Sequence, residues 1–167
     1  MPDGEKPAWR SKFVGKGQSM RIIDAREALV LALAIRLEML REVGGLPEEH
    51  DFPDAFVRRT ADELAHGNQT TLLAMDGDRP VGCATLCYLT LLPTLDHPTG
   101  QRAHLMNVYT SPEARRQGVA RQLVTRLIEE ARSRGVTEIS LDATEAGRPF
   151  YESLGFRPNG EGMTIAL

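Results

Sequence analysis

Cysteine is nearly absent: Cys83 and Cys87 are the only two in 167 residues. They lie four apart in a run that reads as a strand, where a rise of about 3.3 Å per residue separates them by about 13 Å. That is too far for a disulfide, and alternation puts both on one face as small core hydrophobes. The four histidines, His50, His66, His97 and His104, lack metal-ligand spacing, so no structural metal is expected. Long apolar runs are missing too. No stretch reaches the roughly eighteen residues that cross a bilayer, and the amino terminus lacks the apolar segment of a signal peptide. The expectation is a cytoplasmic protein with no membrane partner. There is no basic excess either: 20 Lys and Arg stand against 23 Asp and Glu, a net charge of −3. Nucleic acid is therefore not an expected partner, and any anion site must be local. Two signatures are also absent, the Gly-x-Gly-x-x-Gly dinucleotide fingerprint after the first strand and the Gly-x-Ser-x-Gly nucleophile elbow. Gly15-Lys16-Gly17 is not a phosphate loop, because its lysine falls between the glycines.

What is present fits one domain in length. Residues 1–19, rich in Gly, Lys and Pro, read as an extension, and residues 20–167 as the folded unit. A short strand at 20–23 leads through Asp24, a plausible cap, into a helix over 25–43 with Leu29, Leu33, Leu37 and Leu40 on its inner stripe, broadened by Ile35 and Met39. Gly44-Gly45 ends that helix. A second helix is predicted over 53–65, with Phe56, Val57, Thr60, Ala61 and Leu64 inward. Runs at 70–75 and 80–91 around Asp76-Gly77-Asp78 predict a hairpin. A loop over 92–101 leads to a strand at 102–110, followed by a helix over 117–134, a strand at 138–143, a short helix over 147–154 and a last strand ending near Leu167.

The chain is organised around Arg115-Arg116-Gln117-Gly118-Val119-Ala120, a turn from strand to helix. The first N–H groups of a helix have no internal acceptor and sit at the positive end of its dipole. Two arginines and a small glycine at that mouth suit a bulky anion. An ordinary helix start with solvated arginines fits the same six residues.

The order of elements resembles the GNAT superfamily of N-acetyltransferases. Two motifs carry the resemblance, Pro112-Glu113-Ala114-Arg115-Arg116-Gln117-Gly118-Val119-Ala120 and Phe150-Tyr151-Glu152-Ser153-Leu154-Gly155-Phe156, with one strand between them. The fold this implies is α/β (α+β): a mixed, mostly antiparallel sheet of six to seven strands flanked by four helices and splayed between the fourth and fifth strands. The resemblance further implies acetyl-CoA as cosubstrate, its pyrophosphate held by main-chain groups of Arg115, Arg116, Gln117, Gly118, Val119 and Ala120, with Arg121 one position beyond. A bulge over Val108, Tyr109 and Thr110 would pair with the pantetheine arm. Tyr151 is the implied general acid for the departing thiolate.

The general base is read less directly. His104 lies where some relatives carry a glutamate, and plain alternation would put residues 104, 106, 108 and 110 on one face. Glu38 and Asp142 are further candidates. Thr144 stands where many relatives have a cofactor-contacting asparagine, and a hydroxyl lacks the amide's paired donor and acceptor. The acceptor is expected to be a small-molecule primary amine, bound by the first two helices and the 92–101 loop. Glu48, Glu49, Asp51, Asp96 and His97 would favour a cationic amine there, or are simply solvated. A homodimer paired through Thr164-Ile165-Ala166-Leu167 is compatible with the edge. The competing reading is an acyl-CoA-binding module of the same fold without catalysis.

Overall fold

In the computed structural model, which describes residues 20–160 and 163–166, a five-stranded sheet runs in the order β1-β2-β3-β4-β5. Its strands are β1 (Arg21–Asp24), β2 (Gln69–Asp76), β3 (Arg79–Thr90), β4 (Gln101–Thr110) and β5 (Glu138–Leu141). All neighbours are antiparallel except β4 and β5, which are parallel and joined by a helical crossover. The helices are α1 (Leu29–Gly44), α2 (Asp54–His66), α3 (Val119–Ser133) and α4 (Arg148–Glu152). The expected extension, residues 1–19, lies outside the described residues.

The sheet has five strands, not the six to seven expected. The predicted last strand is the difference: residues 156–160 and 163–166 take no strand conformation. Pro158 has no N–H to give a ladder, and Asn159-Gly160 favours a turn. Met163 and Ile165 are almost fully exposed. Thr164 to Ala166 pair with no strand of this chain, and Leu167 lies outside the described residues.

The first helix also differs from its prediction. Asp24 Oδ1 accepts from Arg26 N (2.8 Å) while Glu27 Oε1 accepts from Asp24 N (3.1 Å), a reciprocal cap. That cap closes only a 3₁₀ turn over Ala25–Glu27 before the backbone breaks at Ala28 and α1 begins. Of the predicted stripe Ile35 and Met39 are buried, joined by Ala32, whereas Leu29 is 38% exposed. Nearly every residue from 29 to 40 is apolar, so period alone cannot select a face.

Two cores sandwich the sheet. On one face Leu123, Val124, Leu127 and Ala131 of α3 meet Leu72, Ala74, Val81, Leu86, Ala103 and Leu105. On the other α1 packs over Leu73, Met75, Cys83 and Tyr109. Gly82 sets how closely α3 approaches: a Cβ there would lie 2.7 Å from Val119 Cγ1 and 3.0 Å from the Tyr109 carbonyl oxygen. The first residue of α3 thus rests directly on β3.

β4 carries a bulge. Cys83 pairs with Tyr109 but Thr85 with Met106, so Asn107 and Val108 together oppose Ala84. Asn107 has φ 57°, a left-handed conformation that asparagine tolerates. The extra residue reverses the alternation. His104 and Met106 face the α1/α2 layer, while Val108 packs into the α3 core. The expectation that His104 shares a face with Val108 and Thr110 is therefore corrected, and the bulge is the reason.

Candidate functional site

β4 and β5 pair only from Arg102 with Glu138 to Leu105 with Leu141. β5 then stops and β4 continues to Thr110, so among the described residues this stretch of β4 has no partner on its β5 side. The freed β4 edge includes the bulge and leads through Ser111 to the turn before α3. There Arg116 has φ 63° and Gly118 φ 79°. α3 has no side-chain cap. Among the described residues, the N–H groups of Val119, Ala120 and Arg121 have no acceptor, since the first helical bond runs from Gln122 N to the Gly118 carbonyl. A Cβ on Gly118 would meet nothing within 4 Å. Glycine is needed there for its positive φ, and the space in front of the turn is open. Uncapped donors facing open space fit a pyrophosphate.

The arginines divide. Arg115 turns inward: its Nε donates to the Thr110 carbonyl (3.0 Å), its Nη2 pairs with Glu42, and its guanidinium lies 6.0 Å from the Tyr109 ring centre. Tyr109 Oη lies 2.8 Å from Glu42 Oε2 and 3.1 Å from Glu38 Oε1, and Ser111 Oγ donates to Glu38 Oε1 (3.0 Å). These contacts fasten α1 to the end of β4. Burial alone would raise the Glu42 carboxyl, but hydrogen bonds from Arg115 and Tyr109 outweigh it and hold it below the usual carboxylate range. Burial, and then the adjoining carboxylates, push the Tyr109 phenol well above its ordinary value. Glu38, a candidate base, is thus an acceptor within this clasp.

Arg121 reaches Ser153 Oγ (2.7 Å) and lies over the Phe150 ring, tying α3 to the α4 region. Gln117 Nε2 donates to the Glu113 carbonyl at 3.0 Å. Arg116 is exposed and, among the described residues, forms no ion pair.

Tyr151 sits half-buried on α4, edge-on to Phe150 (5.0 Å) and Phe156 (5.9 Å), and burial raises its phenol above the ordinary value. It lines a cavity of about 940 Å³ between α3, the outer edge of β5 and α4, which none of residues 115–121 borders. Thr144 Oγ1 accepts from Gly147 N (3.1 Å), so its hydroxyl serves the turn into α4. His104 Nδ1 lies 2.9 Å from Ser140 Oγ and its Nε2 3.9 Å from Asp142 Oδ2, which brings two candidate bases together. His97, by contrast, is tied to Thr137 (3.1 Å) and Glu138 (3.4 Å) at the start of β5.

Sequence reasoning missed Asn107 and Arg36. Asn107 Nδ2 donates to Thr85 Oγ1 (3.1 Å) and its Oδ1 accepts from Arg36 Nη1 (2.9 Å), so side chains fasten the bulge. The available signals were an asparagine inside a strand and a lone charge within Leu33-Ala34-Ile35-Arg36-Leu37. Among the described residues no His, Cys, Asp and Glu group could hold a metal, and no helix is long and apolar enough to cross a membrane.

The model of the acetyltransferase (GNAT) family matches residues 37–156. Over 64 residues, 38% of this chain and 44% of the relative, the sequence is 38% identical to glucosamine 6-phosphate N-acetyltransferase of Trypanosoma brucei brucei. The chain spans about half the length, or less, of the curated relatives it matches. Among solved structures, a predicted acetyltransferase with acetyl-CoA from Clostridium acetobutylicum aligns with TM-score 0.76 at 26% identity, covering 89% of this chain and 96% of the other. A GCN5-related N-acetyltransferase from Ralstonia eutropha aligns with TM-score 0.72 at 26% identity, covering 89% and 99%.

Proposed function

We infer the reaction from one premise: the chain belongs to the acetyltransferase (GNAT) family. It transfers an acetyl group from acetyl-CoA to a primary amine by direct attack. The observation that carries this reading is the pairing of two features at one end of the sheet. The uncapped start of α3 suits a pyrophosphate, and the β4 edge beyond Leu105 is left without a strand partner.

Acetyl-CoA, when bound, supplies a thioester that an amine can open. The N–H groups of Val119, Ala120 and Arg121 hold its pyrophosphate, helped by the backbone of Gln117 and Gly118 and by the charge of Arg116. Arg115 acts indirectly, by fixing the turn against Thr110 and Glu42. Main-chain groups of Val108, Tyr109 and Thr110 line the pantetheine arm.

The attacking amine must be neutral, and an ammonium with a pKa near 10 has to lose a proton first. His104, beside Asp142, takes that proton directly or through water. Tyr151 gives a proton to the leaving thiolate. Its raised phenol stays protonated across the neutral range, as a donor requires. Thr144 supports the start of α4 below Tyr151. The acceptor is a small amine, a class to which the substrate named for the trypanosomal relative belongs.

A thiol-release screen with acetyl-CoA against a library of primary amines tests the reaction. Release above the rate of spontaneous hydrolysis is expected with at least one amine. Tight coenzyme A binding without release from any of them would instead favour the non-catalytic acyl-CoA-binding module.

A further inference from the structure

The residues that fasten the bulge also line a second hollow. Between α1, α2 and the middle of β3 and β4 lies a cavity of about 230 Å³, bordered by Arg36, Phe56, Arg59, Glu63, Met106 and Asn107. We propose that this cavity binds an oxyanion, carboxylate or phosphate, carried by the acceptor amine itself, with Arg36 as the residue that recognises it. The proposal rests on the acetyl-transfer reading, because the cavity borders the β4 bulge where that reading puts the reacting end of the cosubstrate.

Arg36 carries the argument. Its guanidinium is half-buried, yet its one side-chain hydrogen bond is to a neutral amide, Asn107 Oδ1 at 2.9 Å. Among the described residues it forms no ion pair; the nearest carboxylate on the cavity wall, Glu63, is held by Arg59 at 2.5 Å. A partly desolvated cation normally finds a carboxylate. Burial here works against the charge and lowers the pKa of the group. A guanidinium has five N–H donors in a planar fork, and the amide uses one of them. The remainder suit a bidentate oxyanion.

The surroundings agree in sign and size. Arg36 and Arg59 against Glu63 leave the walls with one net positive charge. Phe56 and Met106, each partly exposed, add an apolar side to the cavity. The volume falls below that of a drug-sized pocket, roughly 300 Å³ and upward, and suits the anionic end of a small molecule. Asn107 joins the two halves: its side chain holds Arg36, and its backbone makes the bulge. A molecule anchored by its oxyanion at Arg36 therefore lies beside Asn107 and the bulge of β4. The acceptor class this selects is zwitterionic, an amino acid or a phosphorylated amino sugar, in place of the cationic amine that the acidic residues of the loops suggested.

Matched pairs of acceptors test it: amino acids with their amides, and phosphorylated with unphosphorylated amino sugars, assayed by thiol release from acetyl-CoA. The anionic member should be turned over with kcat/KM about 10- to 100-fold higher, the range for losing one charge-assisted pair. Arg36→Gln should remove that preference, raising KM at least about 10-fold more for the anionic members than for the neutral ones, over and above any loss the two share through the bulge. Arg36→Lys, which keeps the charge but not the fork, should retain part of it. Arg59→Gln leaves Asn107 untouched, removes the net positive charge of the walls and should also weaken the preference. Equal turnover of both members, or an Arg36→Gln loss shared equally by both, overturns the proposal while the transfer reaction stands. If no amine is turned over, the transfer reading fails. The subsite is then judged by inorganic phosphate with coenzyme A saturating: protection of the wild type but not of Arg36→Gln against thermal unfolding supports it, and equal protection, or none, defeats it.

Discussion

Gly82→Ala is the substitution whose effect the structure determines most directly. The added methyl would stand 2.7 Å from Val119 Cγ1 and 3.0 Å from the Tyr109 carbonyl oxygen. Neither neighbour yields freely. The Tyr109 oxygen is main chain in β4, and Val119 is 3% exposed against the sheet with a β-branched side chain that has one favoured rotamer in a helix. Relief must come from α3 lifting off β3. Overpacking of this kind costs about 1–3 kcal/mol, which for a chain of this length lowers Tm by roughly 2–12 °C. Because Val119 also carries one of the unpaired N–H groups, the lift should weaken coenzyme A binding beyond the stability loss. Thermal unfolding gives the first number and calorimetric titration of coenzyme A the second. Val119→Ala removes the clashing carbon, so the double variant Gly82→Ala/Val119→Ala should be more stable than the sum of the single changes by about 1 kcal/mol. Additive single effects, or a Gly82→Ala protein with unchanged Tm and affinity, would refute the idea that glycine sets the height of α3.

Further outcomes follow from the same geometry. Tyr151→Phe should lower kcat by about 10²-fold with a competent amine. Because burial raises the wild-type phenol, kcat should show no alkaline limb from Tyr151 below about pH 10; an unchanged kcat in the variant would remove it as the acid. His104→Gln should alter the pH dependence of kcat/KM, and a superimposable profile would exclude the histidine. Burial would raise the Glu130 carboxyl, but Thr70 at 2.6 Å, Tyr88 at 3.0 Å and Arg134 at 2.6 Å outweigh it and leave it lowered. A lowered folded pKa stabilises the fold above the unfolded value and is lost as pH falls through the folded one. The urea midpoint should therefore drop on acidification below about pH 4.5 less steeply in Glu130→Gln than in the wild type, and parallel curves would contradict this. Burial pushes the Cys83 thiol up to about 12, so iodoacetamide at pH 8 should leave it unmodified until the protein unfolds.

The sequence was legible where local chemistry and topology agree. The Asp76-Gly77-Asp78 hairpin, the α3 stripe and the turn at Gly118 each rest on a residue type with few alternatives, whereas of the residues predicted inward on α2 only Leu64 is buried and Phe56 is 38% exposed. α1 was legible as a helix but not as an oriented one, because an almost wholly apolar run has no preferred side until the sheet supplies it. The bulge escaped because alternation was taken through Asn107 without a break, and that single left-handed residue moved Val108 and His104 to opposite faces. The last strand was overestimated because Met163 to Leu167 has strand-forming residues, while the preceding Arg157-Pro158-Asn159-Gly160 favours a turn and withholds a ladder donor.

Arg115 is the most instructive difference at the site. As a sequence, Arg115-Arg116 reads as a doubled charge aimed at an anion. In the fold only Arg116 is free of carboxylates. Arg115 spends its donors on Thr110 and Glu42, and Glu42 in turn orders Tyr109 beside Glu38 and Ser111. An arginine so paired adds little net field at the turn, since Glu42 largely cancels its charge. Its contribution is geometric: it ties the start of the turn to the last residue of β4 and to α1. In the proposed binding mode the affinity for the pyrophosphate comes mainly from the uncapped N–H groups of α3, and Arg115 acts by holding the turn in place.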